Sequence, residues 1–378
     1  MSIQVLKPKY HVEECLAEIE ECLRSGWTGV GFKTTQFEDQ WKRYTGLPNA
    51  HFVNSATSGL HLALTVLKRR YGWSDDDEVI STPLTFVSTN HAILYEGLQP
   101  VFADVDDSLC LSPHSIEERI TSKTRAVMYV GFGGNAGELN AVSEVCRRHD
   151  LALVLDAAHM AGARYLDRHV GSEAAVTVFS FHSVKNLPTA DSGMVCFRDA
   201  EDDETARRLS WMGITKATHE RTDEASYKWR YDVPDVGFKY HGNSIMAAIG
   251  LVQLRYLDDD NARRRSLAAS YRKALAEHAR IALIPEAKAC QSSQHLFQVR
   301  VGHRDEVMEE LYKSDIYPGV HYVDNSSYPM YRHMQGACPN AAAASEELIS
   351  LPLHLDLTED DVSYVCSALI AAVEKVRV

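Results

Sequence analysis

The chain has 378 residues, 45% hydrophobic and 24% charged, which suits a globular protein of at least two domains and excludes disordered, collagen-like and disulfide-dense classes. Fifty-two Asp and Glu against 39 Lys and Arg leave a net charge of −13, which opposes long-range attraction to nucleic acid or an anionic membrane. The eight cysteines form no CxxC pair and no zinc spacing, and no apolar run approaches the roughly 18–20 residues of a membrane span, so a cytoplasmic protein with free thiols is expected.

An acidic amphipathic stretch over 11–25 predicts a helix, ended by the glycines of GWTGVG. From 51 to 197, short β-rich runs alternate with helical patterns. The runs are HFVN (51–54), EVIST (78–82), PVFADV (100–105), TRAVMYV (124–130), LALVLD (151–156), AVTVFSF (175–181) and GMVCF (193–197). Strands apolar on both faces and separated by helices predict an α/β fold with a mostly parallel sheet covered by helices. Beyond 200 come a polar helical stretch, a long helical run over 244–280 and a smaller α+β unit over 290–378. The pattern predicts a large domain over 1–250, a small C-terminal α+β domain over 251–378, and an N-terminal segment 1–25 packed on the small domain.

Three motifs follow three strands. In NSATSGLHLAL (54–64) a strand gives way to small hydroxyl residues and a helix, a ready anion site or a plain N-cap. In VLDAAHMAG (154–162) Asp156 closes a buried strand at the edge where ligands of parallel sheets bind, placed to hold a protonated ring nitrogen or to cap a helix. In FSFHSVKNL (179–187) Lys185 follows a strand end in an apolar setting that can lower its pKa for a Schiff base; a solvated charge is the plainer alternative. Pyridoxal phosphate presents a phosphate, a pyridine nitrogen and an aldehyde, one for each motif. A competing pattern is GFGGNA (131–136), which with Asp156 matches a dinucleotide fingerprint and suggests an NAD-dependent dehydrogenase, or else a tight, close-packed loop.

These motifs, together with DEVISTPLTFVSTNHAI, PVFADVD, GFKYHGNSIMAAIGLVQL and SLPLHLDLTEDDV, stand in the order and spacing of the DegT/DnrJ/EryC1/StrS sugar aminotransferases, which the chain resembles from about residue 26 to its end. The resemblance implies a fold-type I pyridoxal-phosphate enzyme working as a homodimer with shared active sites. It implies Lys185 as the Schiff-base lysine, Asp156 as partner of the pyridine nitrogen and Phe86 as the aromatic stacked on the ring. Ala56, Thr57 and Ser180 match the phosphate cradle. His159 stands where Gln is usual, near the cofactor's 3-oxygen. GFKYHGNS resembles the loop reaching the neighbouring subunit's site, with Lys239 for the usual Asn, able to serve a phosphate as a point charge, and His241 for the usual Arg. His182, Asn186 and His321 are implied as substrate contacts. Some relatives that replace the lysine with histidine are dehydratases, so Lys185 argues for transamination. The implied donor is L-glutamate and the implied acceptor a nucleotide-linked keto-deoxysugar of carbohydrate or lipopolysaccharide biosynthesis. A non-nucleotide sugar such as an 8-oxo-3-deoxy-manno-octulosonate is the alternative.

Overall fold

The computed structural model describes residues 2–215 and 231–376. Seven strands build the central sheet: β1 (His51–Val53), β2 (Glu78–Ser81), β3 (Gln99–Phe102), β4 (Thr124–Val130), β5 (Ala152–Asp156), β6 (Val176–Ser180) and β7 (Gly193–Phe197). Their order across the sheet is β1-β7-β6-β5-β4-β2-β3. Neighbours run parallel, except that β7 is antiparallel to both β1 and β6. Each of the seven apolar runs in the sequence becomes one of these strands.

The two-residue period of a strand explains why these runs read as continuously apolar. Val127, Tyr129, Leu153 and Leu155 face a core shared with Phe37 and Trp41 of helix Phe32–Thr45. Their neighbours Ala126, Met128 and Val154 face the opposite core, shared with Leu60, Leu64 and Leu67 of helix Ala56–Tyr71. Gly59 lets that helix lie close to the sheet, since a Cβ there would stand 2.8 Å from Val178 Cγ1.

The helix Ser244–Leu275 runs unbroken through residue 250. Its first half gives Ala247, Leu251, Leu254 and Leu257 to the large core, and its second half gives Leu267, Tyr271 and Leu275 to a separate core. The change of core therefore falls between Leu257 and Leu267, inside one rigid helix. The second core lies among a three-stranded sheet (Ala282–Leu283, Phe297–Arg300, Leu348–Leu351) and helices Arg304–Lys313 and Glu359–Lys375. Thr358 and Asp361 begin the last helix as a reciprocal capping box.

The N-terminal segment divides its contacts. Ile3–Gln4 pairs in parallel with Ile316–Tyr317 of the small unit. The Tyr10 hydroxyl donates to the carbonyl of Thr189 in the loop after β6. Helix Val12–Ser25 packs on the long helix.

Candidate active site

A cavity of about 460 Å³ opens at the carboxyl ends of the parallel strands. Ser55, Ala56 and Thr57 follow β1, Thr85 and Phe86 follow β2, Val130 ends β4, Asp156 ends β5 and Ser180 ends β6; all line it. His182 and Lys185 line it from the loop after β6, and His321 and Tyr322 from the small unit. Parallel sheets place ligands at this edge because strand ends and helix starts converge there.

The cradle grows from local sequence. Ser55 caps helix Ala56–Tyr71 by accepting from Ser58 N–H at 3.1 Å; the N–H groups of Ala56 and Thr57, in the helix's first turn, have no helical acceptors, and both residues line the cavity. Antiparallel β7 brings Gly193 between the ends of β1 and β6, opposite Val53 and Ser180. A Cβ on Gly193 would stand 2.8 Å from the Ala56 amide nitrogen and 2.7 Å from the Phe179 carbonyl. Glycine is thus required for the helix start to sit beside Ser180.

Asp156 is buried where β5 ends. Thr89 Oγ1 donates to its Oδ2 at 2.8 Å and the Ala158 N–H to its Oδ1 at 3.1 Å. Burial pushes the carboxyl's pKa up, while these donors and the charge of Lys185 pull it back. Lys185 is held in a closed turn: its N–H donates to the His182 carbonyl at 2.9 Å, and Thr189 N–H returns to the Phe181 carbonyl at 2.8 Å. Burial lowers the Lys185 ammonium from 10.5 to about 8, opposed by Asp156. A neutral amine is therefore within reach at ordinary pH. Phe86, 56% exposed, sits with its ring 5.9 Å from that of Tyr322, available to lie over a planar ligand.

His159 lines the cavity with both ring nitrogens engaged. The Gly133 N–H donates to Nδ1 at 3.2 Å, and Nε2 lies 3.0 Å from the Tyr322 hydroxyl. Both ring nitrogens of His159 thus have protein partners at the cavity wall. Asn186 is not among the residues that line the cavity. Its amide is buried, donating to Asn261 Oδ1 and the Ser293 carbonyl at 2.7 Å each and facing His295 Nδ1 at 2.9 Å, so it braces the Lys185 loop outside the cavity lining. Lys239 lies outside its own chain's cavity, with its ammonium 3.8 Å from the Trp211 ring centre. His241 packs on the same ring at 4.4 Å. His321 bonds Ser350 Oγ at 2.9 Å through Nδ1, and burial with the Lys185 charge lowers it to about 4.

GFGGNA is a close-packed loop. Phe132–Gly134 forms a single 3₁₀ turn, and the next helix starts only at Leu139. A Cβ on Gly131 would meet Met160 Sδ at 1.9 Å, and one on Gly134 would meet Ser293 Oγ at 2.2 Å. The glycines serve contact with 159–160 and 293–294 rather than a helix-start pyrophosphate site, and the dehydrogenase reading falls. Thr89, Tyr322 and His295 join the site or its support without a signal in any strand-end motif. Among the described residues no cluster suited to a metal ion is present, and no helix is long and apolar enough to cross a membrane.

A helix start with spare N–H groups beside a serine, a buried carboxylate and an amine with lowered pKa around one cavity fit the phosphate, ring nitrogen and aldehyde of pyridoxal phosphate. Comparison with known proteins agrees. The model of the DegT/DnrJ/EryC1/StrS aminotransferase family matches residues 9–370. The spore coat polysaccharide biosynthesis protein SpsC of Bacillus subtilis (strain 168) is 34% identical over 369 residues, covering 94% of each chain. Spr1654 of Streptococcus pneumoniae in its PLP form superposes with a TM-score of 0.91 at 29% identity, covering 100% of both chains; it is also solved in a PMP form. Sugar aminotransferase CalS13 of Micromonospora echinospora superposes at 0.90 with 28% identity, covering 98% of this chain and 99% of that one. The chain belongs to the DegT/DnrJ/EryC1/StrS aminotransferase family and is a pyridoxal-phosphate-dependent aminotransferase.

Proposed function

We propose that the enzyme moves an amino group from L-glutamate to a keto sugar, a nucleotide-linked keto-deoxysugar in the first instance, in the building of a cell-surface carbohydrate. The observation that carries this reading is the convergence of Lys185 and Asp156 on one cavity with the cradle at Ala56, Thr57 and Ser180. SpsC, a polysaccharide biosynthesis protein, and CalS13, a sugar aminotransferase, supply the substrate class by similarity.

When bound, pyridoxal phosphate supplies an aldehyde for the incoming amine and a ring that takes up carbanion charge. In the proposed roles, Lys185 anchors the aldehyde carbon and, once released, carries the proton between the substrate carbon and the cofactor as base and then acid. Its lowered pKa keeps a usable neutral fraction for the first of these tasks. Asp156 holds a proton on the ring nitrogen by its negative charge, and Thr89 and Ala158 hold Asp156 in place. Ala56, Thr57 and Ser180 bind the phosphate, Phe86 covers the ring, and His182 and His321 face the sugar. The working unit in this reading is a homodimer in which the 237–244 loop, carrying Lys239, completes the partner's site.

Two measurements test it. Borohydride reduction of the holoenzyme is expected to fix the cofactor on the peptide containing Lys185; an adduct on another lysine would overturn the assignment. Mass spectrometry of products from a panel of keto sugars incubated with glutamate is expected to show one acceptor gaining an amine, while turnover of amino and keto acids alone would remove the sugar.

A further inference from the structure

The turn that carries Lys185 is closed by its own hydrogen bonds. The Phe181 N–H donates to the Ser192 carbonyl at 2.8 Å and the Ser183 N–H to the Ala190 carbonyl at 3.1 Å. The Thr189 N–H and hydroxyl both donate to the Phe181 carbonyl, at 2.8 Å each. With that hydroxyl hydrogen spent, the Ser192 hydroxyl donates to Thr189 Oγ1 at 2.7 Å. Thr189 and Ser192 are fully buried. Among the described residues, two side chains fasten this closed turn to the rest of the molecule by hydrogen bonds. One is its own Asn186, bonded to Asn261 and Ser293. The other is Tyr10, whose hydroxyl donates to the Thr189 carbonyl, and no second described donor reaches that oxygen.

Tyr10 is aimed by its neighbours. Gln253, buried on the long helix, donates from Nε2 to the Lys9 carbonyl at 2.9 Å and accepts the His11 N–H on Oε1 at 3.2 Å. One side-chain amide thus clamps the backbone on both sides of Tyr10. The His11 ring stacks on that of Tyr256, with centroids 3.4 Å apart. Gln253 and Asn261 lie about two turns apart on the same helix, so both fastenings of the lysine turn lead to one rigid element. Burial pushes the Tyr10 pKa above its usual 10, so the hydroxyl keeps its proton and remains a donor. The chain before Tyr10 is anchored in the small unit, where the Ile3 N–H donates to the Asp315 carbonyl at 2.8 Å and the Val5 carbonyl accepts from the Leu353 N–H at 3.0 Å.

We infer that Tyr10 is a positioning residue for Lys185: its hydroxyl, aimed by Gln253, fixes the lysine turn at Thr189 as Asn186 fixes it a few residues earlier. The inference rests on the reading of Lys185 as the lysine that bears the cofactor. It adds a residue that does not line the cavity and stands 179 positions from its partner Thr189. An amine that must meet an aldehyde carbon tolerates little displacement, since misplacing a reacting group by about 1 Å can cost about 10²-fold in rate. Losing one neutral hydrogen bond shifts the opening of the turn by less, about three- to tenfold.

Tyr10→Phe removes the hydroxyl and keeps the ring. Hydrogen–deuterium exchange, with and without pyridoxal phosphate, is expected to quicken about three- to tenfold in the peptide 181–190 and to stay at the wild-type rate in β5. In stopped-flow mixing with pyridoxal phosphate, the saturating rate constant for covalent capture is expected to fall by the same factor. The half-saturating concentration should not move, because the phosphate cradle is untouched. Gln253→Leu leaves the hydroxyl in place but unclamps its backbone, and is expected to reproduce both changes; wild-type behaviour of this variant would overturn the aiming role of Gln253. Wild-type exchange in 181–190, or an unchanged capture rate, in Tyr10→Phe overturns the inference while leaving the cofactor site intact. Faster exchange in β5 as well overturns it too, since the loss would then be a general loosening of the sheet. A wild-type protein whose borohydride adduct lies on a lysine other than Lys185 overturns the reading of Lys185 and the inference together.

Discussion

Asn186 Nδ2 donates to Asn261 Oδ1 at 2.7 Å, binding the loop that carries Lys185 to the middle of the long helix. Asn261 in turn donates to the Ala161 carbonyl at 2.9 Å, in the loop after Asp156. Asn186→Ala leaves the Asn261 oxygen and the His295 N–H buried without partners, at a cost of about 1–3 kcal/mol. Calorimetry is expected to show a lower Tm, with kcat falling more than sugar affinity. A variant with wild-type Tm and a raised KM for the sugar would return Asn186 to substrate contact.

Asp156→Asn is expected to fold and keep cofactor but lose roughly two to three orders of magnitude in turnover. An amide still accepts from Ala158 N–H, and the Thr89 hydroxyl can turn to accept from it, so the packing survives. The lost element is the charge that keeps a proton on the ring nitrogen. Steady-state kinetics at saturating cofactor would decide; wild-type kcat would leave Asp156 a structural cap.

Lys185 sets a pH dependence that can be read before any chemistry. Its ammonium pKa lies near 8, lowered from 10.5 by burial. The neutral amine, the form that captures an aldehyde, is scarce well below that value and dominant above it. Stopped-flow capture of pyridoxal phosphate by apo-protein should therefore accelerate with a midpoint near 8. A midpoint near 10.5 would mean that the pocket leaves the amine as solvated as a surface lysine.

Gly193→Ala tests the cradle from behind. The new Cβ would press on the Ala56 amide and the Phe179 carbonyl, costing about 1–3 kcal/mol if the helix start must retreat. Pyridoxal phosphate should dissociate faster from this variant, while pyridoxal, lacking the phosphate, should bind with little change. Equal weakening of both would place the damage outside the phosphate subsite.

Much of this site is legible in the sequence because the chemistry follows strand ends. Asp156 and Lys185 each close an apolar run, and such runs mark buried parallel strands whose carboxyl ends converge. The reversed direction of β7 has no such signal, since GMVCF is equally apolar on both faces whichever way it runs. Tyr322, His295 and Asn261 reach the site across more than 70 positions of chain, through hydrogen bonds no local pattern encodes. Asn186 shows the converse limit of local pattern: adjacency to Lys185 suggests the cavity, while its amide bonds to Asn261 and Ser293.

Shared sites predict a result for mixed subunits. Lys185→Ala and a variant damaged in the 237–244 loop are each inactive alone if each cavity draws on both chains. In a mixed dimer one site carries both lesions and the other none, so equal mixing should restore about a quarter of wild-type activity under C₂ pairing. No recovery after verified exchange would mean that each site is built from one chain.

The pairing of Ile3 with Ile316 also sets a timetable for biosynthesis. At about 5–20 residues per second, the ribosome takes on the order of 15–60 s to pass from Ile3 to its partner Ile316. Throughout that interval the segment around Ile3 is tethered to a growing chain with no strand to join. Lys7 and Lys9 likewise wait for Asp356, and Val5 for the Leu353 amide. A nascent chain stalled before residue 316 would therefore present the segment around Ile3 loose and protease-accessible even if its central sheet had already formed.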